Sequence, residues 1–260
     1  ILTRDWSSDV CSSDLLALAT GEYIFHCDSD DFVDSDMLET LYDTAQKEKA
    51  DIVWCDWFLS FEHTERYMKQ PSYTTSTEAL KAMLGGVMKF NVWNKLVRRG
   101  LYTDNHICFP EGYAMGEDMT MILLFAVAAN VVYVPMAFYH YVKLNSEAYS
   151  QNFSLHHLDS VKHNIHIVET FLQEHFGNDL DLEIACMKLE AKFPFLMSND
   201  KYMYKLWVET YPEANIYIMR NHYISNRRRL VQWCAYKHWW LMVRLHNWIV
   251  CKVVYGLIYR

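Results

Sequence analysis

Five aspartates, Asp28, Asp30, Asp31, Asp34 and Asp36, follow directly on the apolar run in "GEYIFHCDSDDFVDSD". Carboxylates this close raise one another's pKa unless a cation or a set of hydrogen-bond donors compensates. Asp28, Asp30 and Asp31 offer hard oxygen ligands of the kind that suit Mg²⁺ or Mn²⁺, ions that keep positions open for substrate phosphates. A helix–loop–helix calcium loop is excluded, because Phe32 and Val33 stand where that pattern needs an oxygen ligand and a glycine. The plain alternative is a solvated turn that caps the next helix. A second acidic pair, Glu117 and Asp118 in "GED", opens an apolar segment. A carboxylate there serves either as a base or as a helix cap held by the helix dipole. A third segment, Trp93, Asn94 and Lys95, brings an aromatic ring, an amide and a cation together. Its plain reading is a core tryptophan beside a surface lysine.

These groups need elements to hold them. "LLALATGEYIFHC" reads as a helix end, a turn at Thr20 and Gly21, and a strand from about Glu22 to Cys27, which puts the aspartates at a strand's carboxyl end, where open α/β sheets bind ligands. Asp34, Ser35 and Asp36 can cap a helix whose apolar face is Met37, Leu38, Leu41, Tyr42 and Ala45. "ADIVWCDWF" predicts a second buried strand, and Thr75 with Glu78 has capping-box spacing before a helix that stops at Gly85 and Gly86. "NVWNKLVRRGLY" predicts a strand and turn, Met119 to Ala129 an apolar helix, and "VVYVP" and "AFYHYV" two further strands. The expected fold is therefore an α/β sheet to about residue 145, followed by a helical region over 146–219. The long helix begins near Leu155 and ends at Gly177.

The last segment, 220–260, is expected to be one basic, aromatic helix. It has eight Lys or Arg and no Asp or Glu, so the preceding 219 residues carry 16 basic against 32 acidic side chains. Such a helix suits a bilayer interface, whereas packing on the domain is the plain reading; nucleic acid is excluded as a partner by sparse charge in an acidic chain. Seven scattered cysteines without a CxxC pair argue for reduced thiols and a cytoplasmic setting, and the basic aromatic segment for a peripheral place on the inner face of a membrane. His156, His157, His163 and His166 lack a carboxylate or thiol to complete a metal site, and a wet helix face explains them. Residues 1–14, with "RDWSSDVCSSDL" running from Arg4 to Leu15, have no amphipathic period and look like translated sequencing-adapter text, a non-native segment.

"ATGEYIFHCDSDDFVDSDML", "NVWNKLVRRGLY" and "FPEGYAMGEDMTM" occur in this order in what resembles the family 2 glycosyltransferases of the GT-A fold. The resemblance covers roughly residues 15–142. It implies a partial GT-A sheet, Rossmann-like, that moves a sugar with inversion from a nucleotide-diphosphate donor, a UDP-sugar in the first place, to a glycan or lipid-linked acceptor in bacterial surface polysaccharide synthesis. By resemblance Asp28 and Asp30 hold the divalent cation, with Asp31 a further ligand; Asp118 is the base, beside Glu117; and Trp93, Asn94 and Lys95 lie near substrate. The family's first strand and "DDGS"-like element have no counterpart, so an N-terminally truncated donor site is expected. Val142 stands where many relatives have Arg, with Lys143 adjacent. The competing readings are another phosphate-handling metal enzyme and an inactive fragment or binding module.

Overall fold

The computed structural model describes residues 15–110, 112, 113, 116–143 and 155–250, with side chains from 158 onward in the last stretch. The adapter-like segment 1–14 and the start of the expected helical region, 146–154, lie outside them. Two compact units are present: Ile1–Met83 with Met88–His175, and Leu84–Val87 with Phe176–Arg260.

The first unit is built on a mixed six-stranded sheet. Its strands are β1 (Tyr23–Phe25), β2 (Phe32–Val33), β3 (Ile52–Ser60), β4 (Glu65–Met68), β5 (Lys95–Arg98) and β6 (Val131–Val142), in the order β1-β5-β3-β6-β2 with β4 also on β3. β5 is antiparallel to both β1 and β3, and β6 is parallel to β3. It follows that β1, β3 and β6 point the same way. The acidic turn after β1 therefore leaves from the edge at which β6 ends and β5 begins. Because β1 and β2 are at opposite ends of the strand order, this turn must also lead across the sheet.

Five helices are described alongside that sheet. They are α1 (Met37–Glu48), α2 (Ser76–Leu84), α3 (Arg99–Asp104), α4 (Gly116–Val127) and α5 (Leu155–Phe176). On α1 the buried face is Met37, Leu41 and Ala45, while Leu38 and Tyr42 stand exposed, so the inward stripe is narrower than the sequence suggests. Asp36 is its N-cap without a side-chain cap bond. The start of α2 follows the capping-box spacing: the Glu78 N–H donates to Thr75 Oγ1 at 3.2 Å, and the Glu78 carboxylate reaches back to Thr74. α4 has no polar stripe beyond its first turn, and a helix apolar all round must be covered all round. Met119 to Phe125 are accordingly buried. The turn expected after "NKLVR" is the short helix α3.

β6 joins the two expected strands into one, and Pro135 explains how. Proline has no N–H for the ladder and is confined to edges or bulges in sheets. Opposite it the register breaks: Cys55 pairs with Val134, Asp56 with Ala137 and Trp57 with Tyr139. β6 thus takes up three more residues than β3 across this bulge, and an odd insertion turns the side chains beyond it to the other face. Asp56, 1% exposed, fills the break by accepting from the Gln70 N–H at 2.6 Å and from the hydroxyls of Tyr133, at 2.7 Å, and Tyr67.

The second unit is helical, as expected: α6 (Asp181–Lys192), α7 (Lys201–Glu209), α8 (Asn226–Tyr236) and α9 (Trp240–Ile249), with 3₁₀ turns at Phe193–Met197 and Pro212–Arg220. Lys192 is fully buried and donates to Thr210 O at 2.9 Å, Tyr211 O at 3.1 Å and Asn215 Oδ1 at 2.7 Å, with its ammonium 4.3 Å from the Trp207 ring. It holds a turn in which Tyr211 is left-handed. The expected single basic helix is two. His238 adopts φ 57°, the Trp239 N–H turns back to Cys234 O at 2.8 Å, and α9 starts afresh. Lys252 and Arg260, the last charges of that segment, lie outside the described residues.

Asp51 joins β3, β5 and the end of α4. Its carboxylate accepts from the Ala129 N–H at 2.7 Å, the Asn130 N–H at 3.1 Å and Arg98 Nε at 2.7 Å. Arg98 is partly solvated, so its ion pair adds little, and the two amide bonds to the carboxylate carry most of the tie. Asp51→Ala is expected to destabilise the protein by about 1–3 kcal/mol. An unchanged urea midpoint would contradict this.

Candidate active site

The edge where β1, β3 and β6 end gathers the three segments that the sequence singles out. Asp28 to Asp31 form a turn, closed by the Asp31 N–H donating to Asp28 O at 3.2 Å. Tyr139 on β6 pins it. The Asp28 N–H donates to Tyr139 Oη at 3.1 Å, and the Tyr139 hydroxyl donates to Asp31 Oδ2 at 2.7 Å. The Val142 N–H donates to Asp31 Oδ1 at 2.7 Å, and the Asp34 N–H to Phe138 O at 2.8 Å. Asp31 thus spends both oxygens on the sheet. The carboxylates of Asp28 and Asp30 are exposed and accept no hydrogen bond among the described residues.

Electrostatics sharpen that difference. Partial burial, then the charges of Asp31 and Asp30, push the Asp28 carboxyl up. Burial also raises Asp31, but the Val142 N–H and the Tyr139 hydroxyl draw it back. The Tyr139 phenol is raised by burial and by its bond to Asp31, which keeps it a donor at neutral pH. Two unneutralised hard carboxylates on a fixed turn are a donor set that a divalent cation would relieve. Among the described residues no three His, Cys, Asp or Glu side chains are gathered to hold a metal unaided.

Tyr139 owes its position to rings. Trp93 stacks on it at 4.4 Å and 20°, and on Tyr141 at 5.5 Å, while Trp57 meets Trp93 edge-on at 5.0 Å. Asn94 and Lys95 follow Trp93 into the core, each 1% exposed. The Asn94 amide donates to Cys55 O at 2.8 Å and its Oδ1 accepts from Lys95 Nζ at 3.0 Å; Lys95 also donates to Lys89 O at 3.1 Å and to Asn91 O. Lys95, a surface residue on the plain reading, is a buried tie, and the Asn94 and Lys95 expected near substrate are buried behind the edge. Burial draws the Lys95 ammonium down to about 7, against the Cys55 sulfur and the carboxylates of Glu117 and Asp118.

That coupling locates the second acidic pair. Glu117 is exposed and Asp118 half-buried on the first turn of α4. Gly116 before them has to be glycine, since a Cβ there would stand 2.3 Å from Pro110 Cδ. Tyr141 is raised first by burial, then by Asp31, Asp28, Asp30 and Glu117, so one phenol lies in the field of both acidic groups. Lys143, next to Val142, is exposed at the same strand end. His140 is a packed residue, stacked between Phe32 at 4.2 Å and Phe58 at 4.9 Å, with Nδ1 2.7 Å from Glu65. Sequence reasoning missed Tyr139, whose only trace is an aromatic in an ordinary strand pattern. It also missed His26, lowered to about 4 by burial against Phe109.

A mixed sheet with an acidic turn and a helix-borne acidic pair at its carboxyl edge defines a GT-A-type α/β domain, and comparison with solved structures agrees. The Staphylococcus aureus protein TarS, residues 1–349 in complex with UDP-GlcNAc, superposes with a TM-score of 0.65 at 14% identity, over 90% of this chain and 69% of that one. Residues 13–116 match the model of glycosyl transferase family 2. It is 32% identical over 139 residues to the cholesterol galactosyltransferase of Borreliella burgdorferi, 48% of this chain and 38% of that protein. It is 30% identical over 131 residues to the putative glycosyltransferase EpsH of Bacillus subtilis, 47% of this chain and 38% of that one. The chain thus spans well under half the length of these curated relatives.

Lys95 makes the site's electrostatics measurable. Its ordinary value of 10.5 is lowered to about 7 on folding, so between these pH values the unfolded chain holds a proton that the folded one has lost. Stability from this group rises with pH across that window. Lys192 contributes a similar rise, so the difference between proteins isolates Lys95. Lys95→Met should show a shallower gain in unfolding free energy from pH 7 to 10.5 than the parent. Equal slopes in chemical denaturation would refute the assignment.

Proposed function

We propose that this chain transfers a sugar, with inversion, from a nucleotide-diphosphate donor to a hydroxyl of a glycan or lipid-linked acceptor, in bacterial surface polysaccharide synthesis. One observation carries the reading: a single sheet edge presents two unpaired carboxylates on a pinned turn and, within the same electrostatic field, a separate acidic pair on a helix start. A leaving diphosphate and an incoming hydroxyl approach an anomeric carbon from opposite faces, and so need separate partners.

Asp28 and Asp30 would hold Mg²⁺ or Mn²⁺, which supplies neutralisation of charge on the departing diphosphate. Asp31 orients the turn through Tyr139 and Val142. Asp118 accepts the proton of the acceptor hydroxyl as the new C–O bond forms and the bond to the diphosphate breaks, releasing nucleoside diphosphate and inverting the centre. Glu117 and Lys143 flank the substrate as point charges. Trp93, Asn94 and Lys95 act from behind, fixing the rings that position Tyr139. A UDP-sugar is the donor we assign first, supported by the TarS structures solved with UDP-GlcNAc and with UDP.

Two substitutions separate these roles in assays of the full chain with UDP-sugars and Mn²⁺. Asp30→Asn should weaken cation-dependent donor binding, and turnover with it. Asp118→Asn should leave fold and donor affinity in place, since the amide keeps the size and shape of the carboxylate, yet lower turnover by about 10²–10⁴-fold. Full transfer by Asp118→Asn at saturating donor would remove Asp118 from the mechanism. Donor binding that ignores both Mn²⁺ and Asp30→Asn would overturn the reading of the turn.

A further inference from the structure

The helix α9 is amphipathic in an unusual sense: its outward face is the apolar one. Leu241, Met242, Leu245, Trp248 and Ile249 are all exposed, Leu241 at 79% and Trp248 at 57%. At 100° per residue these five fall within an arc of about 120°. Val243, Asn247 and Val250 lie on the opposite side and are buried, with Asn247 Nδ2 donating to Leu196 O at 2.6 Å. The helix is thus anchored by its back, and a stripe of large apolar side chains is left to water. Trp239, 53% exposed, stands at its start.

Charge says what would cover this stripe. No Asp or Glu follows Glu213, whereas eight Lys or Arg lie between Arg220 and Arg260. One of them, Arg228, is turned inward to Glu190 at 2.7 Å and over Phe193. Arg244, however, flanks the apolar arc and also lines a cleft with Lys201, Lys205, Tyr204 and Trp240. The cleft's aromatic floor is the Tyr204–Trp240 stack, 4.9 Å apart and nearly parallel. Its acidic member, Glu209, is 3.7 Å from Lys205. An apolar ridge beside a basic cleft is complementary to a surface that offers acyl chains and phosphates side by side. A second copy of this equally basic segment would bring like charges together.

We propose that α9 and the adjoining cleft dock this chain on an anionic lipid bilayer. Leu241, Leu245 and Trp248 enter the boundary between head groups and acyl chains, while Lys201, Lys205 and Arg244 meet lipid phosphates. No described helix is long and apolar enough to cross a membrane, so α9 lies in the plane of the surface. The attachment is independent of which donor the sheet edge takes.

Sedimentation of the full chain with phosphatidylcholine vesicles, with and without phosphatidylglycerol, tests this. The parent should bind the vesicles containing phosphatidylglycerol, with a blue shift of tryptophan emission. The combined variant L241Q/L245Q/W248Q should bind roughly tenfold more weakly or worse, and so should K201Q/K205Q/R244Q. The replaced side chains are exposed, so melting temperatures should stay put. Equal vesicle binding by the parent and either variant, or no binding by the parent at low salt, would overturn the proposal. So would a parent dimer that L241Q/L245Q/W248Q dissociates, because the stripe would then be a contact between copies.

Discussion

One phenol oxygen connects the sheet to the chemistry. Tyr139 takes the Asp28 N–H and gives its own proton to Asp31, so a five-aspartate loop that would otherwise repel itself open is held to β6. The bulge at Pro135 places that hydroxyl by shifting the register of everything beyond it. Trp93 then clamps the ring from the side, and the buried Asn94 and Lys95 hold Trp93 against β3. The result divides the acidic residues by role: Asp31 is consumed by structure, and the carboxylates of Asp28 and Asp30 accept no hydrogen bond among the described residues.

How much of this the sequence discloses depends on whether an interaction is local. Strand β3, the stops at Gly85 and Gly86, the α2 cap and the all-apolar α4 follow from neighbours within a few residues, and they are where periodicity puts them. The acidic turn at a strand end is equally legible. The bulge is not, because Pro135 reads as a break between two strands until β3 is seen to bridge it. Nor is the division among Asp28, Asp30 and Asp31, which is decided by a hydroxyl more than a hundred residues away in the chain. Lys95 is a similar case: a charged residue reads as surface, yet three acceptors inside the fold receive it. The break at His238 rests on one left-handed residue that no residue type there announces.

Both units solve the burial of a lysine in the same way. Lys95 and Lys192 each meet three oxygen acceptors, so every ammonium proton is used, and each ties a turn that would otherwise leave carbonyls unsatisfied. Such lysines specify geometry more than they add stability, since desolvation offsets much of the gain. In the first unit the turn so tied is the one that carries Trp93.

The central claim is that the acidic turn is held ready by Tyr139 for a cation and a diphosphate. Calorimetric titration of Mn²⁺ with UDP into the full chain and into Tyr139→Phe tests it most directly, because Phe keeps the stack on Trp93 and removes only the hydroxyl. Loss of a hydrogen bond to a charged group costs about 1.5–3 kcal/mol of stability, so the melting temperature should drop and the loosened turn should bind Mn²⁺–UDP roughly tenfold or more weakly. Unaltered Mn²⁺–UDP affinity in Tyr139→Phe would contradict the account.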